Sequence, residues 1–344
     1  MGPDTPAQGA GADATESTRG RARSLFARGH RLFIFPYLME TQPGNRTDEW
    51  TIGRLLAWTT EYLTTHRVDE ARLSAEILLA HAMQCRRIDL YTKFEQMLDE
   101  TRLSRFRDLV RRAAAREPVG YLVEEKEFFS LAFRVTPDVL IPRPETEVLV
   151  ECALDHCAET RLSEPSLLDL GTGSGCIAIA MLTQLQGARA VATDISTAAL
   201  EVAKLNAQRH EVSDRLTLVE ADALTLPHEA VPQDGFDLLL SNPPYVAADA
   251  MDQLDATVRE YEPAVALSDG ADGLSFYRQI AEHAPDLLTP GGVVIVEVGD
   301  AQADAVIEMV RQAGRLKHQQ SRKDRVVGQQ RVLKFSASAR AAGA

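Results

Sequence analysis

Leu167-Leu168-Asp169-Leu170-Gly171-Thr172-Gly173-Ser174-Gly175, running on into Cys176-Ile177-Ala178-Ile179-Ala180, reads as a short apolar strand, a glycine-rich turn and the start of a helix. Glycines here let the chain turn tightly and let a ligand approach main-chain N–H groups at a helix N-terminus, where the helix dipole favours an anionic group. The stretch therefore predicts a nucleotide-like ligand at the edge of an open α/β sheet. Its spacing is G-x-G-x-G, and Cys176 stands where the dinucleotide fingerprint G-x-G-x-x-G has its third glycine. Taken alone, the loop is also compatible with an ordinary strand-to-helix turn.

Downstream, strand-like and helix-like segments alternate, which predicts a parallel sheet with helices on both faces. The strands expected are Ser166–Leu170, Ala190–Asp194, Leu216–Glu220, Phe236–Ser241 and Val293–Val298, with Val332–Phe335 as a late edge strand. Asp194 ends the second of them, nineteen positions after Gly175, where an acidic residue meets a ribose diol: two carboxylate oxygens for two hydroxyl donors. NAD and S-adenosylmethionine share such a ribose, so Asp194 does not choose between them. Asp222, with Ala223 after it, ends the third strand and is placed to meet an adenine edge in the same crevice.

The fourth strand ends in Asn242-Pro243-Pro244-Tyr245, at the carboxyl edge where open α/β sheets bind ligands. Consecutive prolines lock φ and remove donors, so the carbonyl before them points in a fixed direction, and Asn242 adds a second neutral acceptor. Two fixed acceptors and the Tyr245 ring suit a planar conjugated NH₂ group, whose N–H bonds are both accepted while the ring stacks on its plane. The lone pair of such a nitrogen is delocalised, so the site must create nucleophilicity by alignment with an electrophile. Hydride chemistry has no use for an oriented amide. The electrophile is then the methyl of a sulfonium, and the glycine loop, Gly171, Thr172, Gly173, Ser174 and Gly175, belongs with S-adenosylmethionine. Asn242, Pro243 and Tyr245 are the catalytic candidates, with Pro244 beside them in the substrate contact; no metal is demanded.

Before the sheet, residues 47–117 carry helical periodicity, with Ile52, Leu55, Leu56, Thr59 and Leu63 on one face and Leu103, Phe106, Val110 and Ala113 on another. Asp69 is read as the N-cap of the helix between them. Residues 118–142 read as a linker whose β-like Phe128, Phe129, Leu131, Phe133 and Val135 form a hairpin turning at Pro137-Asp138. Residues 143–335 form the catalytic domain. The first 46 residues read as a disordered arm and 336–344 as a frayed tail. The apolar run Leu32–Leu38 is short and proline-interrupted, unlike a secretory signal.

With 344 residues the chain has room for about two domains and needs no disulfide framework. Its 45% apolar and 25% charged residues are an ordinary globular mixture, and no apolar run approaches the roughly 18 residues of a membrane span. Four cysteines include no C-x-x-C pair, which points away from a zinc site and towards reduced thiols in the cytoplasm. A balance of 37 basic against 50 acidic residues leaves a formal charge of −13 and disfavours a phosphate backbone as partner.

Read together, these residues resemble the protein-glutamine N5-methyltransferases of the HemK/PrmC type. The resemblance is carried by Pro118-Val119-Gly120-Tyr121-Leu122, Ile141-Pro142-Arg143-Pro144-Glu145-Thr146-Glu147, Asp169 to Gly175 and Asn242 to Tyr245. Tyr261-Glu262-Pro263, Asp272-Gly273-Leu274, Pro290-Gly291-Gly292 and Glu297-Val298-Gly299 extend it. It implies a Rossmann-like, seven-stranded methyltransferase domain after a small helical domain and a linking β-hairpin, with S-adenosylmethionine as donor. The acceptor it implies is the glutamine in the Gly-Gly-Gln loop of class I peptide chain release factors. A monomer without direct nucleic-acid or membrane contact is expected. It also implies that Arg143 and Glu145 order a loop over the site or pair with each other in the linker. Asn-Pro-Pro-Tyr is shared with methyltransferases of exocyclic adenine and guanine amines. That leaves a nucleic-acid methyltransferase, or one acting on a ribosomal-protein glutamine, as alternatives. Glu124 and Ser130 depart from the family, standing where it usually has glycine.

Overall fold

The computed structural model describes residues 50–222, 224–324 and 328–337. The arm expected over residues 1–46, Ala223 and most of the expected tail lie outside the described residues. Among those described, no helix is long and apolar enough to cross a membrane.

Helices α1 (Ile52–Thr65), α2 (Ala71–Met83), α3 (Arg87–Thr92) and α4 (Glu100–Ala114) open the chain. Thr51 and Asp99 cap α1 and α4 by accepting the N–H of Arg54 and Arg102. Ile52, Leu55, Leu56, Thr59 and Leu63 are buried, as are Leu103, Phe106, Val110 and Ala113. Asp69 does not cap α2. The preceding residue is Glu70, in the left-handed conformation with no side-chain cap, and it is the Asp69 carbonyl that is used, accepting from Ser74 Oγ at 3.1 Å.

The short α5 (Val119–Val123) leads into the hairpin β1 (Glu125–Phe128) and β2 (Leu131–Arg134). The hairpin turns at Phe129-Ser130 and not at Pro137-Asp138, since Phe128 pairs with Leu131. Both turn residues have positive φ, +51° and +61°, the twist that two-residue hairpin loops need. No Asn-Gly or Asp-Gly signal marks the turn, so it was hidden among aromatics. Pro137-Asp138 forms a separate turn after β2, with Val139 N–H donating to the Thr136 carbonyl at 3.1 Å. Glu124 also has positive φ, +55°. Both departures from the family's glycines therefore fall where the backbone itself favours glycine.

The rest of the chain is α6 (Glu147–Thr160), β3 (Ser166–Leu170), α7 (Cys176–Gln184), β4 (Arg189–Asp194), α8 (Thr197–Arg209), β5 (Leu216–Glu220) and β6 (Phe236–Ser241). After these come α9 (Ala256–Tyr261), α10 (Ala264–Leu267), α11 (Ser275–Leu287), β7 (Leu288–Glu297), α12 (Ala303–Ala313), β8 (Leu316–Lys323) and β9 (Gln330–Ala337). Seven strands form one sheet in the order β5-β4-β3-β6-β7-β9-β8. β9 is not the edge: it lies between β7 and β8, antiparallel to both. The edge strand β8 has the sequence LKHQQSRK, too polar to show a strand's apolar alternation.

Period-two burial builds a core on each face. Leu167, Leu238, Leu240, Val293 and Ile295 pack with α6 and α7. Leu168, Leu170, Leu239, Val294 and Val296 pack with α11 and α12. The chain moves from β3 outward to β4 and β5, then returns to the other side of β3 with β6. That reversal opens a crevice at the carboxyl ends of β3 and β6, the place where open α/β sheets take ligands. Leu170 pairs with Ser241 across it, so Gly171 and Asn242 leave the sheet side by side.

Candidate active site

Gly171 and Gly173 have φ of +68° and +55°, and a Cβ on either would meet nothing within 4 Å. Gly175 serves packing: a Cβ there would lie 2.8 Å from Ile179 Cδ1 and 3.2 Å from Ala203 Cβ. The loop is thus open on its ligand side and closed beneath. Thr172 and Ser174 are buried and, like Gly175, do not line the cavity that Gly171 and Gly173 reach; Thr172 Oγ1 donates to Asp169 Oδ2 at 2.7 Å. Asp169 is fully buried with Oδ1 unpartnered, and burial pushes its pKa up to about 6.

Asp194 closes β4 and holds the loop in shape. Its Oδ2 accepts from Gly173 N–H and its Oδ1 from Ser196 N–H, both at 2.9 Å. Each oxygen keeps a second lone pair for a ligand hydroxyl. Gly171, Gly173, Asp194, Asp222, Asn242 and Pro244 line one cavity of about 300 Å³. Asp138, Val139 and Leu140 of the linker form another part of its wall. The two sequence motifs, whose Gly171 and Asn242 are 71 positions apart, therefore share a single space.

Pro243 is buried and does not line this cavity. Tyr245 faces a second cavity of about 580 Å³, with Arg143, Glu145, Glu297 and Arg331. Its carbonyl accepts from Gln302 Nε2 at 2.9 Å, and burial raises its hydroxyl above the ordinary tyrosine range. Gly273 is required behind it, because a Cβ there would lie 2.3 Å from the Tyr245 carbonyl oxygen. The expected pairing of Arg143 with Glu145 is replaced by a 2.6 Å ion pair between Arg143 and Glu262. The buried Glu262 also accepts from Ile141 N–H at 3.3 Å, tying the linker to the segment after α9.

Sequence reasoning missed two groups behind Asn242. Thr146 Oγ1 accepts from Asn242 Nδ2 at 3.1 Å and donates to Glu297 Oε2 at 2.6 Å. Glu297 ends β7, is 1% exposed, and has its pKa pushed up to about 7 by burial against the opposing pull of the Thr146 hydroxyl and Arg331. Both residues lie in stretches that carried the resemblance, but no spacing rule connects them to Asn242.

A release factor glutamine methyltransferase of Rhodopirellula baltica is 42% identical over 287 residues, 83% of this chain and 95% of its own. One of Geobacter sulfurreducens is 43% identical over 265 residues, 77% of this chain and 90% of its own. The chain belongs to the release factor glutamine methyltransferase family. The family's features extend over both parts of the fold: residues 54–123 match the PrmC N-terminal domain and residues 163–340 a methyltransferase domain. A solved release-factor-specific protein-(glutamine-N5) methyltransferase of Alicyclobacillus acidocaldarius is 30% identical, covering 60% of this chain and 99% of its own with a TM-score of 0.35. S-adenosylmethionine, the methyl donor of these enzymes, fits the residues present. The open faces of Gly171 and Gly173 admit it to the main chain, and Asp194 stands beside them with lone pairs to spare.

Proposed function

We propose that the protein transfers a methyl group from S-adenosylmethionine to the side-chain amide nitrogen of the glutamine in the Gly-Gly-Gln loop of class I release factors. The observation that carries this reading is the shared cavity, which has the glycine loop and Asp194 on one wall and Asn242 and Pro244 on the other. Bound there, S-adenosylmethionine supplies an electrophilic methyl on a sulfonium. The main chain of Gly171 to Gly175 would cradle it, Asp194 would accept from its ribose hydroxyls, and Asp222 would border its adenine.

On the acceptor side, Asn242 Oδ1 and the carbonyl fixed by Pro243 and Pro244 accept the two N–H bonds of the glutamine amide. With both hydrogens held to one side, the nitrogen faces the donor side of the cavity. Alignment of this kind contributes several kcal/mol, up to about 7–11 in ideal cases. Neither acceptor is a strong base. The proton that the amide gives up leaves from the hydrogen bond at Asn242 Oδ1 to water. Tyr245 fixes the end of the turn and offers its ring to the peptide from the second cavity.

In this reading residues 47–117 dock the factor, 118–142 link, and 143–335 carry out the chemistry. Support comes from ties between the first part and the segment near the site: Arg116 pairs with Asp255 at 2.6 Å, and Tyr261 Oη donates to the Ala115 carbonyl at 3.2 Å. The charge of −13 favours a protein acceptor over a nucleic acid, in a monomer working in the cytoplasm beside the ribosome. Incubation with labelled donor and a release factor is expected to label the natural factor and spare one whose loop glutamine is replaced by alanine. Equal labelling of both would sink the assignment.

A further inference from the structure

Asn242 is useful as an acceptor only if its carboxamide oxygen, and not its NH₂, is turned to the cavity. A free carboxamide has no such preference, since its two ends are nearly the same size. The chain behind it does. Above its raised pKa of about 7 Glu297 is ionised, and an ionised carboxylate only accepts, so the Thr146 proton is then committed to Glu297 Oε2. A hydroxyl has one proton, so towards Asn242 the Thr146 oxygen only accepts, and what it accepts is Asn242 Nδ2–H. With the NH₂ drawn to Thr146, Oδ1 is left to the cavity that Asn242 lines.

We propose that Thr146 and Glu297 are positioning residues that set the polarity of the Asn242 carboxamide, keeping its oxygen towards the acceptor amide. The proposal rests on the function proposed above, which makes Asn242 Oδ1 the acceptor. The geometry suits the role. Thr146 is 2% exposed and ends the turn Pro144–Thr146, while Glu297 is anchored at the end of β7. Neither side chain lines the 300 Å³ cavity, where Asn242 stands; Glu297 borders the second cavity beside Tyr245 and reaches the first through Thr146 and Asn242. Ionising Glu297 in so buried a place is costly, and its neighbour Arg331 offsets part of that cost.

The test compares Thr146→Val, which removes the hydroxyl at constant shape, with Thr146→Ser, which keeps it, and with Glu297→Gln, which can donate as well as accept. In the full-length protein without ligand at pH 8, where Glu297 is ionised, the side-chain ¹⁵N–H₂ resonance of Asn242 is assigned by its loss in Asn242→Asp. It is expected to be shifted and slow to exchange with water in the natural protein and in Thr146→Ser, and to lose both properties in Thr146→Val and Glu297→Gln. Turnover on the release factor is expected to fall on the order of 10²-fold in the latter two and to return to within a few-fold in Thr146→Ser, with donor affinity and KM for the factor little changed throughout. An unmoved resonance, undiminished turnover in a variant whose resonance does move, or a loss that serine does not restore would overturn the proposal. If the natural protein fails to methylate the factor at all, the functional reading falls, while the resonance still judges the positioning on its own. Should Thr146→Val not fold, Glu297→Gln carries both readouts.

Discussion

The ends of β3 and β6 are neighbours in the sheet and build their halves of the site in opposite ways. At the end of β3 the ligand side is bare main chain: glycines with positive φ, closed beneath by Ala203 and braced by Asp194. At the end of β6 the backbone is stiffened by two prolines, and the working group is a side chain whose orientation is set by Thr146 and Glu297. One half offers many weak, shape-defined contacts, as holding a large cofactor requires. The other offers few contacts with a fixed direction, as aligning a poor nucleophile requires.

The contrast breaks first at Asn242. Asn242→Ala is expected to lower turnover by about 10²–10³-fold, about 3–4 kcal/mol, with donor affinity measured by calorimetry changed only a few-fold. A matching loss of donor affinity would mean the two halves are not separate.

Each half also hides a carboxylate whose burial raises its pKa, Asp169 to about 6 and Glu297 to about 7. A raised folded pKa means that the native state holds its proton longer than the unfolded chain. Stability from these groups is therefore complete below the ordinary carboxylate range and is lost as pH climbs towards 7, by about 3 kcal/mol for Glu297. Urea unfolding between pH 4.5 and 8 is expected to show that decline, with Glu297→Gln flattening its upper part and Asp169→Asn its lower part. Arg331, Arg143, Glu145, Tyr245, Tyr277 and Cys176 face Glu297, so the same scan on Asp300→Asn, which frees Arg331 from its ion pair, is expected to move the upper part to lower pH.

The glycine loop, for all its local character, has one distant brace. Asn206 on α8 is fully buried, accepts from Arg134 N–H at 2.7 Å, and donates to the carbonyls of Arg134 at 3.0 Å and Ser174 at 2.8 Å. It clips the hairpin to the loop. Asn206→Ala is expected to cost about 2–3 kcal/mol in unfolding free energy and to weaken donor binding more than it changes KM for the factor. The smallest effect is at the hairpin turn itself. Ser130→Gly, at an exposed position with φ of +61°, is expected to stabilise by about 0.5–1 kcal/mol, seen as a small rise in Tm with activity unchanged.

Much of this was legible in the sequence where the chemistry is local. Gly171 to Gly175 and Asn242 to Tyr245 announce themselves because glycine and proline act on their own backbone. The strand alternation announces the sheet because each residue's burial depends on its own face. The turn at Phe129-Ser130 escaped because its residues are not those the conformation favours, and β8 escaped because an edge strand buries too little to need an apolar pattern.

The sequence by itself determined the kind of ligand cradle, the kind of acceptor and the parallel strands β3 to β7 that carry them. The tertiary structure alone decided which partner each charged group would take, Arg143 with Glu262 in place of Glu145, and that Thr146 and Glu297 would stand behind Asn242. A backbone propensity is written at the residue that has it, whereas a hydrogen bond between residues 96 or 151 positions apart exists only once the sheet brings the ends of its strands together.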